Sequence, residues 1–249
     1  QGEVEPDRVL NLALAPLQEV IVSARLARDD LAGAGLFLAV PADFGVDDAV
    51  FLHEFQRRAA LRPLSPGRLL RHGPTGFYHA LAAAGAAVAG GACRAALVGG
   101  VDTHLGEATI RRLDEAGRLK SARNRDGFVP GEAAGWLWLE PRERAAQRGA
   151  PVRAAFHGWA TAREEQPFTG ERQSTGTGLT EALRAVIDAA ALAPQWVVCD
   201  LNGESYRGFE WGVARTRLGA QLDGLRELTH PADCWGDVGA AGPPLHAAL

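Results

Sequence analysis

Apolar positions recur at helical spacing from Leu10 to Ala27, and a continuous apolar run follows from Leu36 to Val40, closed by Pro41. The first pattern predicts a helix and the second a short buried strand. Asp47 and Asp48 then lead into Ala49 to Leu61, where Val50, Phe51, Phe55 and Ala59 mark one helical face. Acids at that start suit the positive end of a helix dipole, and Pro63, Pro66 and Gly67 end the pattern. Thr75 to Ala89 is dominated by Ala and Gly, with Phe77, Tyr78, Leu81 and Val88 as its larger apolar residues, which predicts a helix packed closely on its neighbours. Strands are predicted over Ala95 to Val101, Trp136 to Leu139, Val152 to Phe156 and Trp196 to Asp200, and helices over Leu179 to Ala191 and about Trp211 to Leu225.

Helices alternating with short apolar strands predict an α/β fold with buried, largely parallel pairing. The succession before residue 150 is echoed after it, and no low-complexity linker separates the two stretches. Residues 1–150 and 151–249 therefore read as two similar halves of one integrated, layered unit. Trp136 and Trp138 alternate with Leu137 and Leu139, the pattern of a strand with two packed faces.

Composition narrows the function. With 47% hydrophobic and 22% charged residues over 249 positions, the chain is neither disordered nor a rod. A net charge of −4 gives no electrostatic footprint for nucleic acid. No apolar run reaches the roughly 18 residues of a membrane span, no signal peptide is evident, and the chain reads as soluble and cytoplasmic. Cys93, Cys199 and Cys234 are far apart and show no CxxC spacing, which argues against a disulfide framework or a structural zinc. Gly33 to Gly35 lacks the third glycine of a dinucleotide fingerprint and precedes a strand. No cofactor and no metal is expected. Methionine is absent, where ordinary usage of roughly 2% predicts about five, so residues missing between some sequence neighbours are expected.

Two segments carry most of the remaining information: LVGGVDTHL at Leu97 to Leu105, and DGFVPGEAAGWLWLE at Asp126 to Glu140. Together they resemble the β-ketoacyl synthases of the thiolase-like superfamily, which carry a GGVD turn followed by a DGFVxGEGAGxLVLE block. TIRRLDEAGRLKSA at Thr109 to Ala122 and GLTEALRAVIDAA at Gly178 to Ala190 fit the same pattern. The resemblance implies a layered αβαβα fold of two similar halves. It also implies a further strand pair and glycine-rich loop beyond Leu249, leaving the C-terminal half incomplete at its end. High Ala, Gly and Arg usage suggests a GC-rich bacterial source.

The resemblance implies a chemistry as well. Condensing enzymes of this family use a cysteine at a helix N-terminus, where the dipole lowers its pKa, and two histidines that support decarboxylation and the developing oxyanion. Counted back 17 residues from Gly91, the nucleophile position falls on Pro74. The neighbours Gly73 and Thr75 supply no thiolate, and the Thr75 hydroxyl lacks an adjacent base. The first histidine position is Asn202, in Asn202-Gly203-Glu204, and the second is Asp237, in GDVGAAG. Replacement at all three implies loss of condensation.

Convergence of Asn202, Glu204 and Asp237 would give a carboxylate pair with a raised pKa, a candidate acid/base site. His72 and His79 flank the nucleophile turn, but a separation of seven is too long for the usual metal-ligand pair. The expected function is a β-ketoacyl synthase-like subunit without condensing activity that shapes an acyl pocket or binds protein as a scaffold or adaptor. The alternative is an active acyltransferase of the 3-oxoacyl-ACP synthase type with non-standard or unlisted catalytic residues. Expected partners are a second copy or a synthase-like subunit in a dimer, an acyl carrier protein, or a protein of effector secretion.

Overall fold

A computed structural model describes residues 6–170 and 172–249. The helices are α1 (Pro6–Leu14), α2 (Leu17–Ser23), α3 (Arg28–Leu31), α4 (Asp48–Arg58), α5 (Gly76–Ala89), α6 (Glu107–Glu115), α7 (Arg142–Gln147), α8 (Thr177–Ala190), α9 (Ser205–Leu218), α10 (Ala232–Trp235) and α11 (Gly242–Ala248). The strands are β1 (Gly35–Ala39), β2 (Gly67–Leu70), β3 (Ala96–Thr103), β4 (Glu132–Leu139), β5 (Trp196–Val198) and β6 (Glu227–Thr229).

The chain forms two compact units that interleave along the sequence. One takes the residues up to Ile110 with Gly131–Ala155 and Val238–Leu249; the other takes Arg111–Pro130 and Phe156–Asp237. These units differ from the halves drawn at residue 150: Arg111–Pro130 falls in the second unit, and Val238–Leu249, with α11 packed on β3 and β4, falls in the first.

The first unit is built on a four-stranded sheet of order β2-β1-β3-β4. β1 pairs parallel with β2 and β3, and β3 pairs antiparallel with β4. Every residue of β1 and β3 is buried. Two apolar clusters cover the two faces. Leu36, Leu38, Leu97, Phe55 and Trp136 belong to one, with Trp138 packed against it; Phe37, Val98, Phe77 and Leu81 belong to the other, with Leu137 and Leu139 against it. The alternation in β4 thus divides between the faces, as period-two geometry requires, and the Trp136 indole N–H donates to the Ala13 carbonyl at 2.7 Å. Gly99 and Gly100 are required by close approach: a Cβ on Gly99 would lie 2.3 Å from the Trp136 ring, and one on Gly100 would lie 2.1 Å from the Ala240 oxygen.

The second unit holds the parallel pair β5–β6 and a smaller cluster of Trp211, Leu218 and Leu222, against which Leu179, Leu183, Ile187 and Val197 pack.

Three expectations need correction. The single helix from Leu10 to Ala27 is two, because Pro16 has no N–H to continue the ladder and opens α2 instead. Val152 to Phe156 is not a strand. Val152 and Phe156 are exposed, and no described strand pairs with this stretch, so its backbone polar groups are left to water. The helix expected over Trp211 to Leu225 starts six residues earlier at Ser205 and gives way to a 3-10 turn, Gly219–Leu222.

Candidate functional site

Two places hold the candidate residues, one in each unit. In the first unit, β2 runs through Arg71 and His72 into a 3-10 turn, Gly73–Thr75, which opens α5. Gly73 takes φ +53°, a conformation glycine adopts without a Cβ clash. Pro74 follows, with fixed φ and no donor, as suits the start of a helical turn. The Thr75 hydroxyl donates to the His72 carbonyl at 3.0 Å. No thiol stands in this turn.

The His72 and His79 rings lie 4.4 Å apart, tilted by 34°. The turn folds His72 back over the first turn of α5, so seven residues of separation become a ring contact. Burial, and secondarily His72 beside it, lowers the His79 pKa. Asp102, near the end of β3, is buried; its carboxylate accepts the Thr103 N–H and the Ala240 N–H, both at 2.8 Å. Thr103 in turn donates to Glu132 at 2.8 Å, and Arg8 grips the Glu132 carboxylate at 2.6 and 2.8 Å. The two sequence motifs are therefore neighbouring strands cross-linked at one end.

In the second unit β5 leads to Asn202, Gly203 and Glu204, and Ser205 begins α9. Asn202 and Glu204 are both buried. The Asn202 amide donates to Glu204 Oε2 at 3.0 Å and to Asp237 Oδ2 at 2.7 Å, while its oxygen accepts the Glu204 N–H at 3.0 Å. Asn202, Glu204 and Asp237 thus do come together.

Two arginines complete the cluster. Arg118 donates to both Glu204 oxygens, at 2.7 and 2.8 Å, a bidentate geometry that raises the arginine's pKa further. Arg207 donates to the Asp200 carboxylate and to Asp237 Oδ2, the latter at 3.2 Å. Burial opposes its charge, but Asp200, Tyr206, Asp237 and Glu204 outweigh that, and its pKa is raised. Arg207 Nε makes no hydrogen bond, standing 3.7 Å from Glu204 Oε2. Each carboxylate faces a guanidinium, whereas a proton-sharing pair needs two carboxylates facing each other without counter-ions.

Aromatic rings extend the cluster. Phe168 stacks on Tyr206 at 4.1 Å and 10°, Arg118 lies 4.8 Å from the Phe168 ring and 5.1 Å from Phe128, and burial pushes the Tyr206 phenol up to about 12. The Ser205 N–H and hydroxyl donate to Asp126 at 2.7 and 2.5 Å. The family resemblance named Asn202, Glu204 and Asp237 but not Arg118 or Arg207. A bidentate partner 86 residues away leaves no local signal.

The cysteines lie elsewhere. Burial pushes the Cys93 and Cys199 thiols up, and Cys234 is exposed. Among the described residues no group of three or more His, Cys, Asp or Glu could hold a metal ion, and no helix is long and apolar enough to cross a membrane.

The fold is that of the thiolase-like ketosynthases. One solved structure, of a type II PKS acyl-carrier protein in complex with its ketosynthase bound to the hexaketide, matches with a TM-score of 0.79 at 18% identity, covering 96% of this chain and 70% of that one. The ishigamide ketosynthase/chain length factor matches at 0.77 and 17% identity, over 100% and 70%. An oxazolomycin ketosynthase domain of Streptomyces albus matches at 0.77 and 18%, over 100% and 49%.

Residues 75–145 match the beta-ketoacyl synthase N-terminal domain. The family match contains both motifs and leaves out Pro74, Asn202, Glu204 and Asp237. The chain is 37% identical over 73 residues to the chloroplastic 3-oxoacyl-[acyl-carrier-protein] synthase I of Arabidopsis thaliana, and 38% over 71 residues to 3-oxoacyl-[acyl-carrier-protein] synthase 2 of Staphylococcus aureus. These alignments cover 29% and 28% of this chain but only 15% and 17% of those relatives.

Proposed function

We propose that this chain is a ketosynthase-like subunit that does not condense acyl groups and instead holds an acyl group or a protein partner. The observation that carries the reading is the turn at the start of α5: Gly73, Pro74 and Thr75 offer one side-chain oxygen, and it donates to a backbone carbonyl. A condensing step needs an activated nucleophile with a base within reach. The arginine-bound carboxylates at Asn202 support the reading, since an ion-paired cluster stands where the resemblance would put the two imidazoles.

The partners in view are a second copy or a synthase-like subunit, an acyl carrier protein, and a protein of effector secretion. The first two are supported by the neighbours, one a ketosynthase with its acyl-carrier protein and one a ketosynthase/chain length factor. The second reading, a condensing enzyme with an unusual nucleophile, is favoured by the sequence match to 3-oxoacyl-[acyl-carrier-protein] synthases.

The two separate in one assay. The full chain is mixed with an acyl thioester and labelled malonyl thioester, and carbon dioxide and the extended β-keto product are measured. The non-condensing reading expects neither above a protein-free control; product formation at catalytic turnover establishes the second.

A further inference from the structure

One cation beside Asn202, Gly203 and Glu204 is not part of the ion-paired cluster. Lys120 is the single lysine of the chain, and the other 25 of its 26 Lys and Arg residues are arginine. It stands on a loop closed by a parallel bridge, its own N–H to the Phe128 carbonyl and the Phe128 N–H to the Arg118 carbonyl, both 2.9 Å, with the Ser121 N–H bonded to the Asn124 carbonyl inside the loop at 2.8 Å. The side chain is exposed and reaches over the Asn202–Glu204 turn, where a Cβ built on Gly203 would meet its Nζ at 3.3 Å. Arg118 is taken up by Glu204, and Arg207 by Asp200 and Asp237. The Lys120 ammonium makes no ion pair and no side-chain hydrogen bond among the described residues.

The difference between lysine and arginine decides what this group can do. A guanidinium stays protonated and does not attack carbonyl carbon, whereas a lysine amine that has lost its proton does. The neighbouring hydroxyls are poorer candidates. Ser205 donates to Asp126, whose carboxyl these bonds hold below its ordinary value and so make a weaker base, and Tyr206 keeps its proton up to about 12.

We propose that Lys120 is an acyl acceptor, taking the acyl group of a thioester delivered to the Asn202–Glu204 turn. The neutral Nζ attacks the thioester carbonyl carbon, the nitrogen–carbon bond forms and the carbon–sulfur bond breaks. The sulfur leaves as a thiolate and gains the proton that the nitrogen gives up, so the products are an amide on Lys120 and a free thiol. No oxidant or reductant is involved. The inference rests on the acyl-holding reading above and adds to it a covalent site.

The test uses the full chain with octanoyl N-acetylcysteamine thioester, followed by intact mass and peptide mapping. The expected result is one octanoyl group on Lys120, formed at least about tenfold faster than on a synthetic peptide of residues 116–126, since position is what the fold adds. Lys120→Arg stays unmodified there, yet both proteins bind the octanoyl amide analogue, which cannot transfer its acyl group, as read by thermal shift. Acylation at the peptide's rate, or at another residue, with the amide analogue still bound overturns the inference and leaves the acyl-holding reading intact. No binding of the amide analogue and no adduct overturns both.

Discussion

The two units hold themselves together differently. In the first, β1 and β3 are buried at every residue and packed on both faces. In the second, each strand has three residues, none fully buried, and three buried apolar side chains form the core cluster. There five polar side chains interlock, Arg118, Glu204, Asn202, Asp237 and Arg207 in hydrogen-bond contact, flanked by the Phe168–Tyr206 stack. The first unit depends on non-directional burial, which tolerates exchange of similar volumes. The second depends on directional pairs, in which loss of one member strands the other.

The sharpest way to break that contrast is a core truncation. Phe37→Ala and Leu97→Ala empty opposite faces of the first sheet, and each should cost about 3 to 5 kcal/mol, the range for large-to-small changes in a packed core. Urea midpoints at constant slope measure the loss. Next comes Glu204→Ala, which leaves Arg118 without its bidentate partner. Because Arg118 keeps some solvent access, the expected cost is about 2 to 3 kcal/mol, below the full price of breaking a buried pair. Hydrogen exchange should rise in the second unit while β1 and β3 stay protected; equal loss in both units would remove the distinction.

A smaller effect tests the ionic clamp between Arg8 and Glu132 of β4. The Arg8 guanidinium, with help from Thr103, holds the Glu132 carboxyl below its ordinary value of 4.5. A depressed carboxyl stabilises the fold above the unfolded value and loses that contribution as pH falls through the folded one. Stability should therefore fall below about pH 4.5, and Glu132→Gln should flatten that part of the curve with a change of about 1 kcal/mol or less for a pair this exposed. The smallest expected effect is spectroscopic. One of the two tyrosines, Tyr206, should ionise near pH 12 in an absorbance titration, and Phe168→Ala should move it down by uncovering the ring.

Much of the first unit was legible because its inner strands are apolar runs, so β1 and β3 fall within two residues of where the pattern places them, whereas β4 starts four residues before Trp136, at Glu132, and β2 lies where Pro66 and Gly67 read only as a break. The break at Pro16 was legible in principle, since proline cannot continue a helix ladder. Val152 to Phe156 misled because a short apolar run signals a strand only if a neighbour completes its ladder. At the candidate site, the family resemblance marked Asn202, Glu204 and Asp237. The residues that decide their chemistry, Arg118 and Arg207, act through distances in space. The His72–His79 contact was hidden by a 3-10 turn that helical spacing does not represent.

The central claim is that no nucleophile stands at the start of α5. The most direct measurement is covalent labelling of the folded full chain with a cerulenin-type epoxide, mapped by peptide mass across Leu70 to Ala80. The account predicts every residue in that segment unmodified, Thr75 included. An adduct on any of them at the rate of an activated nucleophile would contradict it.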